Sequence, residues 1–312
     1  MDLEPSRVSC SPPPAPTRPP KGLLEKVFLN DEELRTIWRV LLFGLLWIIF
    51  SFALDLVAIE LFGFPANSFS PQRILREDLL SFLATLGAAL AMAKLERRQV
   101  GVYGLPRQQV FGRLFWLGCL FGLMEVSLLL CSIAAFGGYS FGSVSLHGLE
   151  AARWGGLWFL AFVAVGLSEE YLFRGYAQYT LARGVGFWPA AIFLSVLFGA
   201  EHLWNPGESY VGAAGVAATG LLFAFTLRRT CSLWLAVGWH ATFDFGETFL
   251  YSVPDSGMLF ERHLSSATMH GPRWLTGGTV GPEGSVFSFL TMGILALAVH
   301  FLFPATKTKP EP

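Results

Sequence analysis

A chain of 312 residues that is 53% hydrophobic, only 14% charged and has a mean hydropathy of +0.50 lies outside the range of water-soluble domains, in which about a quarter of residues are charged. The formal net charge of -1 says nothing about nucleic acid, but there is no basic domain to bind it. Four scattered cysteines, Cys10, Cys119, Cys131 and Cys231, supply no CxxC or zinc-finger spacing, which argues against disulfides and a thiolate metal site.

In chain order, residues 1–21 are rich in proline, lack apolar periodicity and read as a disordered tail rather than a signal peptide. Residues 22–39 read as an amphipathic segment at the membrane interface. Apolar stretches of a length suited to about 30 Å of hydrocarbon then recur. They fall at 40–62, 79–95, 111–136, 154–176, 187–204, 211–228, 231–251 and 285–303, and predict an all-α, multi-pass transmembrane bundle of about eight spans. This divides the chain into N-terminal spans (40–150), a core (151–251), a Gly-, Ser- and Pro-rich loop (252–284), and a last span with its tail (285–312). With both termini on one side, sixteen of the 22 Lys and Arg residues flank that side, five flank the other, and Arg174 lies within a span. The asymmetry predicts cytoplasmic termini in a cell (inner) membrane.

Ionisable residues inside such spans are costly and mark pairs or chemistry. The densest group is Ser168-Glu169-Glu170-Tyr171-Leu172-Phe173-Arg174. Glu170 and Arg174 are four apart and meet on one helical face, whereas Glu169, about 100° around the helix, has Phe173 one turn on and no local cation. These seven residues fit either a structural ion pair with a spare acid, or an ion pair beside a general base. The fifth span ends in Phe198-Gly199-Ala200-Glu201-His202, and the seventh aligns His240, Asp244 and Glu247 at i, i+4 and i+7. An acid one turn from His240 is suited to holding its ring in one orientation. His202, near a membrane boundary, reads first as a hydrogen-bonding residue. His300 reads as a helix-helix hydrogen bond; Asp55, Glu60 and Glu125 as pairing between helices; and Gly118 with Gly122 as a close-packing GxxxG. Together, one free carboxylate, two histidines and an orienting acid are parts that can deprotonate water and stabilise an oxyanion. No HExxH or GxSxG is present.

Glu-Glu-x-x-x-Arg at Glu169, Glu170 and Arg174, Phe-x-x-x-His at Phe198 and His202, and His-x-x-x-Asp at His240 and Asp244, in this order on separate spans, resemble the CAAX protease and bacteriocin-processing family of intramembrane endopeptidases. The resemblance covers about 80 residues. It implies that Glu169 and His202 hold and activate water, that His240 and Asp244 polarise the scissile carbonyl or act as ligands, and that Glu170 and Arg174 form a structural pair. It leaves open a zinc ion held by Glu169, His202, His240 and Asp244, or a metal-free reaction. Asp244 stands where the prenyl-protease branch has Asn, which fits an orienting or ligand role better than an oxyanion-hole donor. The expected activity is hydrolysis of a membrane-associated or lipidated peptide or protein near the cytoplasmic side of the bilayer. The rivals are a non-catalytic immunity or scaffold protein and a proton-coupled carrier. Inverted repeats expected of many carriers are not seen.

Overall fold

The computed structural model describes residues 29–30, 33–63 and 70–304, so the tail 1–21 and much of the segment 22–39 lie outside the described residues. Leu29–Asn30 (β1) pairs antiparallel with Glu33–Leu34 (β2), and the first helix follows at once. The architecture is an all-α membrane bundle. Its helices are α1 (Thr36–Phe62), α2 (Pro71–Leu95), α3 (Arg113–Ala135), α4 (Gly148–Tyr171) and α5 (Gln178–Val185). They continue with α6 (Phe187–His202), α7 (Tyr210–Thr230), α8 (Trp234–Phe245) and α9 (Val286–Leu302). A π turn at Leu172–Ala177 joins α4 to α5, and a second at Gly246–Leu250 extends α8.

Five helical stretches are long and apolar enough to cross a membrane. The other three expected spans are α6 with 16 residues, α8 with its π turn, 12 plus 5, and α9 with 17. At 1.5 Å per residue these reach about 24–26 Å, short of a full hydrocarbon layer. The second span starts at Pro71 rather than 79. Ser70 caps its N-terminus by accepting from Arg73 N, and the Arg73–Glu77 pair (2.9 Å) neutralises a first turn whose charges masked it.

α8 is the centre of the bundle, packed between α3 and α4; α2 covers α4, and α6 pairs with α7. The α3–α8 contact is a backbone approach made by glycine on both sides. A Cβ at Gly118 would collide with Leu235 O, one at Gly122 with Trp239 O, and one at Gly238 with Phe115 O. Thr242 Oγ1 crosses the seam to donate to Cys119 O (2.9 Å), and Trp239 Nε1 donates to Glu125 Oε2 (2.6 Å), so Glu125 pairs between helices as expected. His300 likewise bonds Arg229 across helices (2.8 Å), whereas Asp55 and Glu60 lie exposed on α1. Their expected pairing does not appear among the described residues, because this helix packs little of its surface on the bundle. Gly118→Ala should force α3 from α8 and lower stability by about 1–3 kcal/mol, read as a lower unfolding midpoint in detergent.

Gly186, at φ 91°, makes the tight turn between α5 and α6. Counted from this turn, Glu169 lies 17 positions before it and His202 16 after it, so an antiparallel hairpin brings them level. Counting Glu169 from the other end of its span hides this relation, since α4 starts at Gly148 and the whole stretch Gly148–Val185 runs 38 residues. The chain bends at Gly175 (φ -79°, ψ -118°) within the π turn that follows the acidic pair.

Candidate active site

A cavity of about 280 Å³ lies among α2, α4, α6, α7 and α8, and Glu169, His202, His240 and Asp244 all line it. Three of the four converge. His240 Nε2 stands 3.6 Å from Glu169 Oε2 and 3.5 Å from Asp244 Oδ2. His202 faces the same cavity but makes no ion pair within 4.0 Å among the described residues. Its Nδ1 lies 2.8 Å from Phe198 O, which can only accept, so Nδ1 carries the proton and Nε2 is left toward the cavity. Phe198 separates the two histidines, with its ring 4.8 Å from that of His202 and 6.3 Å from that of His240. The Arg174 guanidinium covers Phe198 at 4.2 Å, a cation-π contact that ties the second motif to the first.

Glu170 and Arg174 are buried behind this surface and pair at 3.1 Å, as the spacing predicts. The same Glu170 Oε1 also takes a hydrogen bond from His240 Nδ1 at 3.1 Å. Glu170, rather than Asp244, therefore fixes the His240 ring from behind, and Asp244 faces the opposite nitrogen. The expected purely structural role of Glu170 is too narrow. Both acids have a buried Oε2 with no hydrogen-bond donor, but Glu169 lines the cavity and Glu170 does not. Sequence reading missed Asp78, which lines the cavity and accepts from Ser168 Oγ (2.9 Å). The signal was available one residue outside the second span as drawn from hydropathy.

The cavity runs toward the end of the bundle that carries the loops after α6 and α8, where Asn205 Nδ2 donates to Ser256 O (2.8 Å). The other end holds the start of α1, packed on Gly184, and the end of α9. The site thus opens on the face opposite the start of α1 and the end of α9. If the start of α1 and the end of α9 face the cytoplasm, this mouth faces the other side of the membrane. At the mouth, burial pushes the Asp255 carboxyl up to about 7 and that of Glu283 up to about 8.

Among the described residues, the group of three or more His, Cys, Asp or Glu ligand atoms all within 4.8 Å of one another is Glu247, Asp255 and Glu283. Glu169, His202, His240 and Asp244 do not form such a group in this geometry, so they do not fit a three-ligand zinc site as they stand. What they do line is a cavity with room for several waters, bearing an undonated carboxylate, a histidine held by a buried carboxylate, and a second histidine of fixed tautomer.

Fold and site define a multi-pass helical membrane protein with an acid-histidine centre inside the bundle. Residues 151–246 match the family model "Type II CAAX prenyl endopeptidase Rce1-like", so this segment is similar to that family. The riboflavin transporter RfnT of Brucella anthropi is 28% identical over 149 residues, covering 43% of this chain and 36% of that protein. The chain thus matches little more than a third of that relative's length. No solved structure matches.

Proposed function

We propose that this protein is an intramembrane endopeptidase that hydrolyses a peptide bond in a membrane-associated or lipidated substrate, using water activated by Glu169 and His202. The observation that carries the reading is Glu169 Oε2: buried, without a donor, in the cavity and beside His240 Nε2. A water between Glu169 and His202 Nε2 gives one proton to the Glu169 carboxylate as its oxygen attacks the scissile carbonyl carbon. His240, held through Nδ1 by Glu170, donates from Nε2 to the carbonyl oxygen as negative charge builds, and Asp244 supports that charge on the ring. Glu169 then passes its proton to the leaving amine as the C–N bond breaks, which returns the carboxylate. No step is routed through a metal.

The test is cleavage of a quenched lipidated-peptide library by the purified chain in nanodiscs. Cleavage by wild type, reduced about 10²-fold or more in His202→Ala, supports the reading. A folded wild type inert across the library moves weight to the binding-protein alternative. The expected response to 1,10-phenanthroline is undiminished turnover; abolition of turnover, restored by zinc, would instead make the four residues metal ligands.

A second reading draws on the similarity to RfnT, whose name assigns it riboflavin transport. In a carrier, Glu125, Glu169 and Asp244 would relay protons rather than activate water. Riboflavin uptake into proteoliposomes, lost in Glu169→Gln while no peptide is cleaved, would favour it.

A further inference from the structure

Glu247 was singled out by its place on the His240–Asp244 face, yet the proposed reaction does not use it. It sits in the π turn after α8, fully buried, and neither carboxylate oxygen receives a hydrogen bond. The loop beyond brings two more acids to it. Asp255 comes from the loop's first turn and Glu283 from its last, 28 positions later, and one oxygen of each lies within 4.8 Å of the others and of Glu247. None of the ion pairs among the described residues reaches these three side chains.

Their surroundings are built rather than incidental. Thr248 Oγ1 donates to Asp255 Oδ2 (3.0 Å), and Ser256 Oγ reaches Glu283 Oε2 (2.9 Å), so each loop acid is oriented by a neighbour. The backbone holds the two loop ends together: Gly257 N donates to Val280 O (2.7 Å), and Gly281, at φ 110°, presses against Pro254 O, where any Cβ would collide. The donor set is all oxygen, and the spacing suits ligands placed 2.0–2.6 Å from a common centre.

We propose that Glu247, Asp255 and Glu283 form a site for a hard divalent cation of the Ca²⁺ and Mg²⁺ class, which staples both ends of the 251–285 loop to the π turn beneath. Water or backbone carbonyls complete the coordination shell. The site shares no residue with Glu169, His202, His240 or Asp244 and stands whether or not the chain is a protease. Because Asp255 and Glu283 also line the cavity mouth, occupancy fixes the entrance to the chamber.

The experiment uses the full chain in detergent, stripped with EDTA and freed of chelator, then titrated with Ca²⁺ or Mg²⁺ while calorimetry reads binding and the unfolding midpoint reads stability. The expected result is one saturable site for at least one of the two ions, a raised midpoint and slower proteolytic cutting within the loop. Glu247→Gln, Asp255→Asn and Glu283→Gln, made separately, should each weaken binding by about tenfold or more, since affinity follows ligand charge. Glu169→Gln should bind as wild type does. If neither ion binds wild type, or all three carboxamide variants bind as tightly as it does, the cation site is wrong and the acids share protons instead.

Discussion

Glu169→Gln is expected to lower peptide hydrolysis by about 10²- to 10⁴-fold, the range for loss of a positioned general base, with little change in KM and no loss of thermal stability. Its neighbour makes the comparison informative. The two acids are adjacent, yet Glu170 is fully buried and commits Oε1 to both Arg174 and His240, whereas Glu169 offers the cavity an oxygen that no protein donor satisfies. A carboxamide keeps the shape of Glu169 but cannot take the proton of water. Turnover and the unfolding midpoint, measured on the same preparation, check the claim. A variant that turns over as fast as wild type would remove Glu169 from the role of base.

The second large effect concerns stability. Arg174→Met should destabilise the protein by about 3–5 kcal/mol, because Glu170 would then be a buried carboxylate without its cation. Arg174 is itself buried and also packs over Phe198, so the loss includes the link that holds the His202 segment against α4. The double variant Glu170→Gln with Arg174→Met removes both charges and should recover most of the stability, since buried pairs can often be replaced by uncharged groups of similar volume at little cost. It should not recover activity, as the hydrogen bond that orients His240 through Nδ1 loses its charged acceptor. Thermal unfolding and turnover across the set separate the two roles of Glu170. If the double variant recovered both, Glu170 would hold Arg174 and nothing else.

Local rules made part of this legible in the sequence. Hydropathy located the apolar helices, whose segments are bounded by charge, but not α5, whose residues Gln178–Val185 are largely polar. The four-residue spacing gave the Glu170–Arg174 pair, and the lack of a local cation separated Glu169 from it. What could not be read was every contact across long stretches of chain. Glu170 and His240 are 70 positions apart, and only the packing of α8 on α4 makes the former the support of the latter. Asp78 was hidden because Arg73, Arg76 and Glu77 depress the hydropathy of a turn that is helical all the same. The cluster of Glu247, Asp255 and Glu283 depends on positive-φ glycines folding a long loop back on itself, and no periodicity announces that.

The central position of α8 has a consequence for biogenesis. The chain enters the membrane from its N-terminus, and α1, whose most apolar window is only 6% buried by the rest of the protein, is stable in lipid from the start. α2, α3 and α4 follow, but the slot between α3 and α4 is filled by α8, which starts at Trp234, 63 positions after α4 ends at Tyr171. During that interval Glu170 already has Arg174 one turn away on its own helix, so the nascent span carries its own counter-ion past the translocon. Glu169 has none until His240 emerges. The Glu170–Arg174 pair is complete within its own helical turn, whereas the cavity lining is complete only once α8 packs between α3 and α4.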